Sequence, residues 1–135
     1  MKQLLFIFSM LLSSIFCNGQ TNADTLYINL NDKLFFEASM DSSNHLKLKK
    51  ADTNDNSANT ISISLTFSQG AGAFLKIQNP FSKALVYKAE LYSFKKKDYL
   101  ETSTIPVSPK LSSFETWPYR IDKMRLTGFI LTDAD

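Results

Sequence analysis

The chain has 135 residues, of which 44% are hydrophobic, 13% aromatic and 21% charged, with 15 basic against 13 acidic side chains, one histidine and one cysteine. This apolar fraction excludes a disordered tail, the length suits one domain, and a formal charge of +2 gives no general electrostatic case for nucleic acid. A single cysteine and a single histidine exclude intrachain disulfides and zinc sites built on two thiolates or two imidazoles.

Residues 1–19 read as an export signal. Lys2 supplies the positive n-region, and an apolar stretch runs from Leu4 to Phe16. As a helix that stretch spans about 20 Å, short of the roughly 30 Å hydrocarbon core, so a membrane anchor is set aside. Cys17 and Gly19 are small enough for the −3 and −1 positions of a signal peptidase site, which places cleavage after Gly19 and makes Gln20 the new N-terminus. Lipid attachment at Cys17 competes with this reading, but Ile15 and Phe16 before it are too bulky for such a site. Taking 19 residues from 135 leaves 116, with no cysteine, and loss of Lys2 lowers the charge to +1. The expectation is a periplasmic or secreted protein with no transmembrane segment after signal removal, and one β-sandwich domain over residues 20–135.

Along that domain the hydrophobic period is two. Thr25–Leu30 and Leu34–Ser39 flank an Asn31-Asp32 turn, and His45–Lys49 sets Leu46 and Leu48 against His45, Lys47 and Lys49. Ala51–Asn59 is a polar inter-strand loop. Ile61, Ile63, Leu65 and Phe67 then alternate with hydroxyl residues, and a Gly70-Ala71-Gly72 turn leads into Ala73–Gln78, which Asn79-Pro80 ends. In Ala84–Phe94 the residues Leu85, Tyr87, Ala89 and Leu91 face one way, and Val86, Lys88, Glu90 and Tyr92 the other. Lys95–Asp98 turns the chain into a strand at Tyr99–Ile105. The last strand, Lys123–Leu131, groups Met124, Leu126, Gly128 and Ile130 opposite Arg125, Thr127 and Phe129. Seven or eight strands with frequent turn signals predict an all-β, antiparallel, immunoglobulin-like sandwich, with a closed barrel as the alternative.

Few residues combine into a chemical motif. Asp52, Asn54 and Asn56 occupy positions 1, 3 and 5 of a calcium loop, but Ser57 replaces the glycine at position 6 and Ile63 the glutamate at position 12. His45 sits on the outward face of a lysine-rich strand with no nucleophile motif beside it. Lys95–Lys97 between Phe94 and Tyr99 mixes charge with rings, but a hairpin tip is polar in any case. No catalytic residues, metal site or cofactor are assigned.

The stretch from Pro106 to Arg120 is different. Its prolines predict an extended crossover, and Glu115, Trp117 and Tyr119 together offer a stacking platform for a sugar or peptide. The preferred reading of Trp117 itself is a buried plug at one end of the sandwich with its N–H on a backbone carbonyl, the platform being the alternative. Asn79-Pro80-Phe81, Tyr87-Lys88-Ala89, Pro106-Val107-Ser108-Pro109 and Glu115-Thr116-Trp117-Pro118 resemble a group of small exported β-sandwich proteins of Gram-negative bacteria, over roughly residues 73–132. The resemblance implies fold and location and carries no functional residues. The expected function is a non-enzymatic exported binding or accessory module for a protein or glycan of the cell envelope. One alternative is a small envelope hydrolase with Glu101 and Glu115 as acid and base. A second is a structural subunit presenting Val86, Tyr92 and Phe129 as an apolar patch.

Overall fold

The computed structural model describes residues 25–52 and 58–133. The export signal with Cys17 and Gly19 lies outside these residues, as do Asn54 and Asn56. Among the described residues there are nine strands: β1 (Thr25–Asn29), β2 (Lys33–Met40), β3 (Leu46–Ala51), β4 (Thr60–Ser68), β5 (Gly72–Gln78), β6 (Ala84–Ser93), β7 (Asp98–Thr102), β8 (Ser112–Trp117) and β9 (Lys123–Thr132). They form two antiparallel sheets, one ordered β1-β9-β6-β7 and the other β3-β2-β4-β5-β8. The sheets share one core, which makes the fold a β-sandwich.

The core is built by the period-two rows. Ile61, Ile63 and Leu65 from β4, Leu75 and Ile77 from β5, and Leu85 and Ala89 from β6 are each at most 1% exposed. Each of these fully buried leucine and isoleucine side chains contributes roughly 1.5–3 kcal/mol through removal of apolar surface from water. Phe67 continues the β4 row but is 37% exposed, and Leu91 at the far end of β6 is only half-buried. The two sheets do not overlap over their full length, so a correct alternation does not guarantee burial at a strand end.

Two expectations change. The ninth strand, β8, lies inside the stretch that the prolines marked as a crossover. It pairs with β5 from Ala73↔Trp117 to Gln78↔Ser112, and it shows no apolar alternation because both of its faces carry polar residues. Phe114 points outward and is 60% exposed, while Ser113 and Glu115 point inward. The second change is in β9. Gly128 adopts φ +63°, and between Val86↔Ile130 and Lys88↔Thr127 the β9 strand carries one more residue than β6. A glycine in the left-handed region at an extra residue is the G1 type of β-bulge. It moves the inward row from Met124 and Leu126 to Phe129 and Leu131. Phe129 is therefore buried and stacks on Tyr87 with ring centroids 5.9 Å apart, so it is no part of an outward apolar patch.

Two neighbouring segments carry the chain between sheets, and one residue holds both. Asn79 is 1% exposed. Its side-chain amide donates to the carbonyls of Lys83 at 2.8 Å, Val107 at 2.9 Å and Ser108 at 3.2 Å, and its Oδ1 accepts from the Phe81 N–H at 2.9 Å. Its own N–H donates to the Leu111 carbonyl at 2.9 Å. Beside it, Leu85 and Val107 exchange a pair of backbone hydrogen bonds at 2.9 and 2.8 Å.

Asn79→Ala should lower stability by about 2–3 kcal/mol, because it leaves enclosed carbonyls and an N–H unpaired; equilibrium urea unfolding measures this. Gly72 has φ +96°, and a Cβ there would lie 2.0 Å from the Trp117 carbonyl oxygen. Gly72→Ala should therefore cost at least roughly 2 kcal/mol in the same measurement, whereas Gly70→Ala, with nothing within 4 Å of the new Cβ, should cost less.

Candidate functional site

The site features concentrate around the β6–β7 hairpin. On the outer face of the four-stranded sheet, cross-strand register sets Tyr27 of β1 opposite Arg125 of β9, Arg125 opposite Glu90 of β6, and Tyr92 opposite Tyr99 of β7. Arg125 donates from Nε and Nη2 to the two Glu90 carboxylate oxygens at 2.6 and 2.7 Å, a bidentate geometry. Tyr27 and Tyr99 come from opposite edges of the sheet and meet over this pair, edge to face, with centroids 6.1 Å apart. The Arg125 guanidinium carbon lies 4.6 Å from the Tyr99 centroid. Tyr92 packs edge to face on both Tyr99 and Phe94, at 5.2 and 5.0 Å, and Lys123 places its ammonium 5.4 Å from the Tyr92 centroid. The result is a platform of four rings over an ion pair, with Tyr27 and Phe94 each about three-fifths exposed.

The electrostatics follow from this packing. The hydrogen bond from Arg125 holds the Glu90 carboxyl below its ordinary value of 4.5 against a smaller opposing effect of desolvation. The same bond raises the Arg125 guanidinium above its ordinary value. Partial burial pushes the Tyr99 hydroxyl up. Every ring of the platform thus sits next to a fixed positive charge or another ring.

At the hairpin lies a groove of about 450 Å³ lined by Leu91, Tyr92, Ser93, Phe94, Leu100, Glu101, Thr102, Tyr119, Arg120 and Ile121. Its volume falls within the roughly 300–1,000 Å³ common for small-ligand sites. It exists because β8 ends at Trp117, so the five-stranded sheet leaves Leu91 half-buried and Leu100 38% exposed.

The three residues singled out from sequence are separated here. Trp117 is 8% exposed and donates from Nε1 to the Thr102 hydroxyl at 3.3 Å. It closes the sandwich between edge strands β7 and β8, and its partner is a side-chain hydroxyl in place of a backbone carbonyl. Glu115 accepts the Ile105 N–H at 2.6 Å, pinning the β7–β8 connection. Of the three, only Tyr119, 53% exposed, lines the groove. Glu101 borders the same groove and Glu115 does not, so the suggested acid–base pair does not meet in this cleft. His45 is exposed beside a smaller hollow of about 320 Å³ with Asp41 and Lys47. Ile63, the twelfth position of the calcium pattern, is buried in β4. Among the described residues no three His, Cys, Asp or Glu side chains gather as metal ligands.

Sequence reading missed the platform. Tyr92 and Arg125 are on outward rows in the alternation, but their junction with Tyr27 and Tyr99 depends on which strands are neighbours.

Because Glu90 is depressed below 4.5 when folded, its stabilisation is complete above that value and is lost as the pH falls through the lower folded value. Between about pH 5 and pH 3 the melting temperature of Glu90→Gln should therefore fall less steeply than that of the unmodified protein; melts followed by circular dichroism check this.

No protein family, curated protein or solved structure matches the chain.

Proposed function

We propose that the protein is an exported, non-enzymatic binding module, and that its ligand is a glycan of the cell envelope held at the β6–β7 hairpin. The observation that carries this reading is the ring platform of Tyr27, Tyr92, Phe94 and Tyr99 beside the bidentate Arg125–Glu90 pair. Aromatic rings present flat apolar faces to the C–H side of a sugar ring, and tyrosine hydroxyls present polar tips to its hydroxyl groups. The groove adds a second wall next to Tyr92 and Phe94, with Tyr119 for stacking and Thr102, Glu101 and Arg120 for hydrogen bonding.

Support for export comes from the n-region, apolar core and small-residue cut site of residues 1–19. Support for a binding role over a catalytic one comes from the commitments of the acidic groups, with Glu90 held by Arg125 and Glu115 by the Ile105 amide. The ring contacts and the Arg125–Glu90 pair are made within the protein itself, which limits the ordering cost of binding.

Isothermal titration with β-1,4-linked N-acetylglucosamine oligomers and with β-glucan oligomers tests the assignment. One of these should bind, and Tyr27→Ala, Tyr92→Ala or Tyr119→Ala should each weaken that binding about tenfold, equivalent to roughly 1.4 kcal/mol. Lys83→Gln, remote from the hairpin, should leave it unchanged. Turnover of either oligomer would overturn the non-enzymatic reading, and absence of binding to both would remove the glycan assignment.

A further inference from the structure

We infer that copies of this protein associate head to tail, the free edge of β7 in one copy adding to the free edge of β3 in the next. The inference does not rest on the glycan reading, although Tyr99 and Glu101 enter both; it rests on how charge is divided among the edge strands. β7 ends the four-stranded sheet and β3 ends the five-stranded one. An edge strand presents a row of backbone donors and acceptors that another strand can pair with.

The β7 edge is acidic. Glu101 stands directly opposite Glu90 across the hairpin, and like charges in that position repel. Glu90 is relieved by Arg125, but Glu101 is exposed and in no ion pair among the described residues. Asp98, also exposed, begins the same strand, which contains no basic residue.

The β3 edge is the reverse. Lys47, Lys49 and Lys50 are all exposed, and Leu46–Ala51 contains no acid. Leu46 and Leu48 fill the core, so Lys47 and Lys49 lie on the outer face. Glu37 of β2 stands across from Lys49, yet none of the three lysines is in an ion pair among the described residues.

These charges select the pairing. Two β3 edges would bring lysines together, which disfavours that symmetric contact; the only charged residues along β7 are acids, with Lys95, Lys96 and Lys97 confined to the turn before it. An unlike pair continues one sheet into the next and sets the row of Tyr99 and Glu101 beside the row of Lys47 and Lys49. At a strand spacing of about 4.8 Å the Glu101 carboxylate and a lysine ammonium are within reach of one another. The contact uses two different surfaces, so each added copy leaves one β3 and one β7 edge free and the array can extend. Strands of five and six residues make a small contact. Association is therefore weak, salt-sensitive and dependent on high local concentration.

Sedimentation velocity on the full chain at rising concentration and low salt tests this. The unmodified protein should form oligomers whose association weakens at least roughly fivefold between about 0.05 and 0.5 M salt. Asp98→Lys with Glu101→Lys should be monomeric alone, and so should Lys47→Glu with Lys49→Glu. Mixing these two charge-reversed proteins should restore association, because each acid edge again meets a basic one. Recovery on mixing also shows that both variants fold. Phe114→Ala, which lies on β8 and is exposed, should associate like the unmodified protein. A monomer at all concentrations, salt-independent association, a charge-reversed protein that assembles alone, or a mixture that does not assemble would each overturn the inference.

Discussion

A single buried amide governs how this sandwich is threaded. The chain leaves the five-stranded sheet after β5 and returns to it before β8, and Asn79 binds both passages. It reaches the carbonyls of Lys83, Val107 and Ser108, accepts the Phe81 N–H, and gives its own N–H to Leu111. A polar side chain removed from water is tolerated only when its hydrogen-bonding capacity is used. Here that requirement couples two segments almost 30 residues apart in sequence, and it settles where β8 starts. Because β8 is placed this way, Glu115 meets the Ile105 amide and Trp117 meets Thr102, which together join the two sheets along the β7–β8 side.

The opposite strand ends show a comparable dependence on one backbone position. At Gly128 the extra residue rotates the end of β9, burying Phe129 against Tyr87. Burial beside that ring pushes the Tyr87 hydroxyl above its ordinary value, with a smaller effect from Glu115 in the same direction. Beyond the bulge β9 is no longer covered by β1, and the β2–β3 turn takes over: the Leu131 N–H donates to the Asn44 carbonyl at 3.0 Å. The sandwich is thereby laced on both sides while remaining two sheets.

With the two sheets joined along both sides, the β6–β7 hairpin projects past the shared core. Its outer face carries the tyrosines, and the groove beside Tyr92 is a consequence of β8 stopping at Trp117. The same geometry leaves β7 as a short acidic edge, while the lysines of β3 occupy the edge on the far side of the other sheet. Recognition and self-association thus draw on one hairpin and share Tyr99 and Glu101, with the platform reached from above the sheet and the edge from its side.

What the sequence determined alone was the class of fold and most of its strands. Alternation identifies β4, β5 and β6 because both faces of such a strand are chemically distinct, and Gly70-Gly72, Asn79-Pro80 and Lys95–Asp98 mark chain reversals through local backbone chemistry. It also identified Trp117 as a candidate plug, since a lone large ring between prolines has few other roles in a small core. What only the tertiary structure decided depends on neighbours distant in sequence. The edge strand β8 has polar residues on both faces and so leaves no periodic trace. The flip at Gly128 requires knowing that β9 lies against β6. The platform assembles Tyr27, Tyr92, Tyr99 and Arg125 from four strands, and strand order is set by packing of the two sheets and by the Asn79 crossings, neither of which any local pattern encodes.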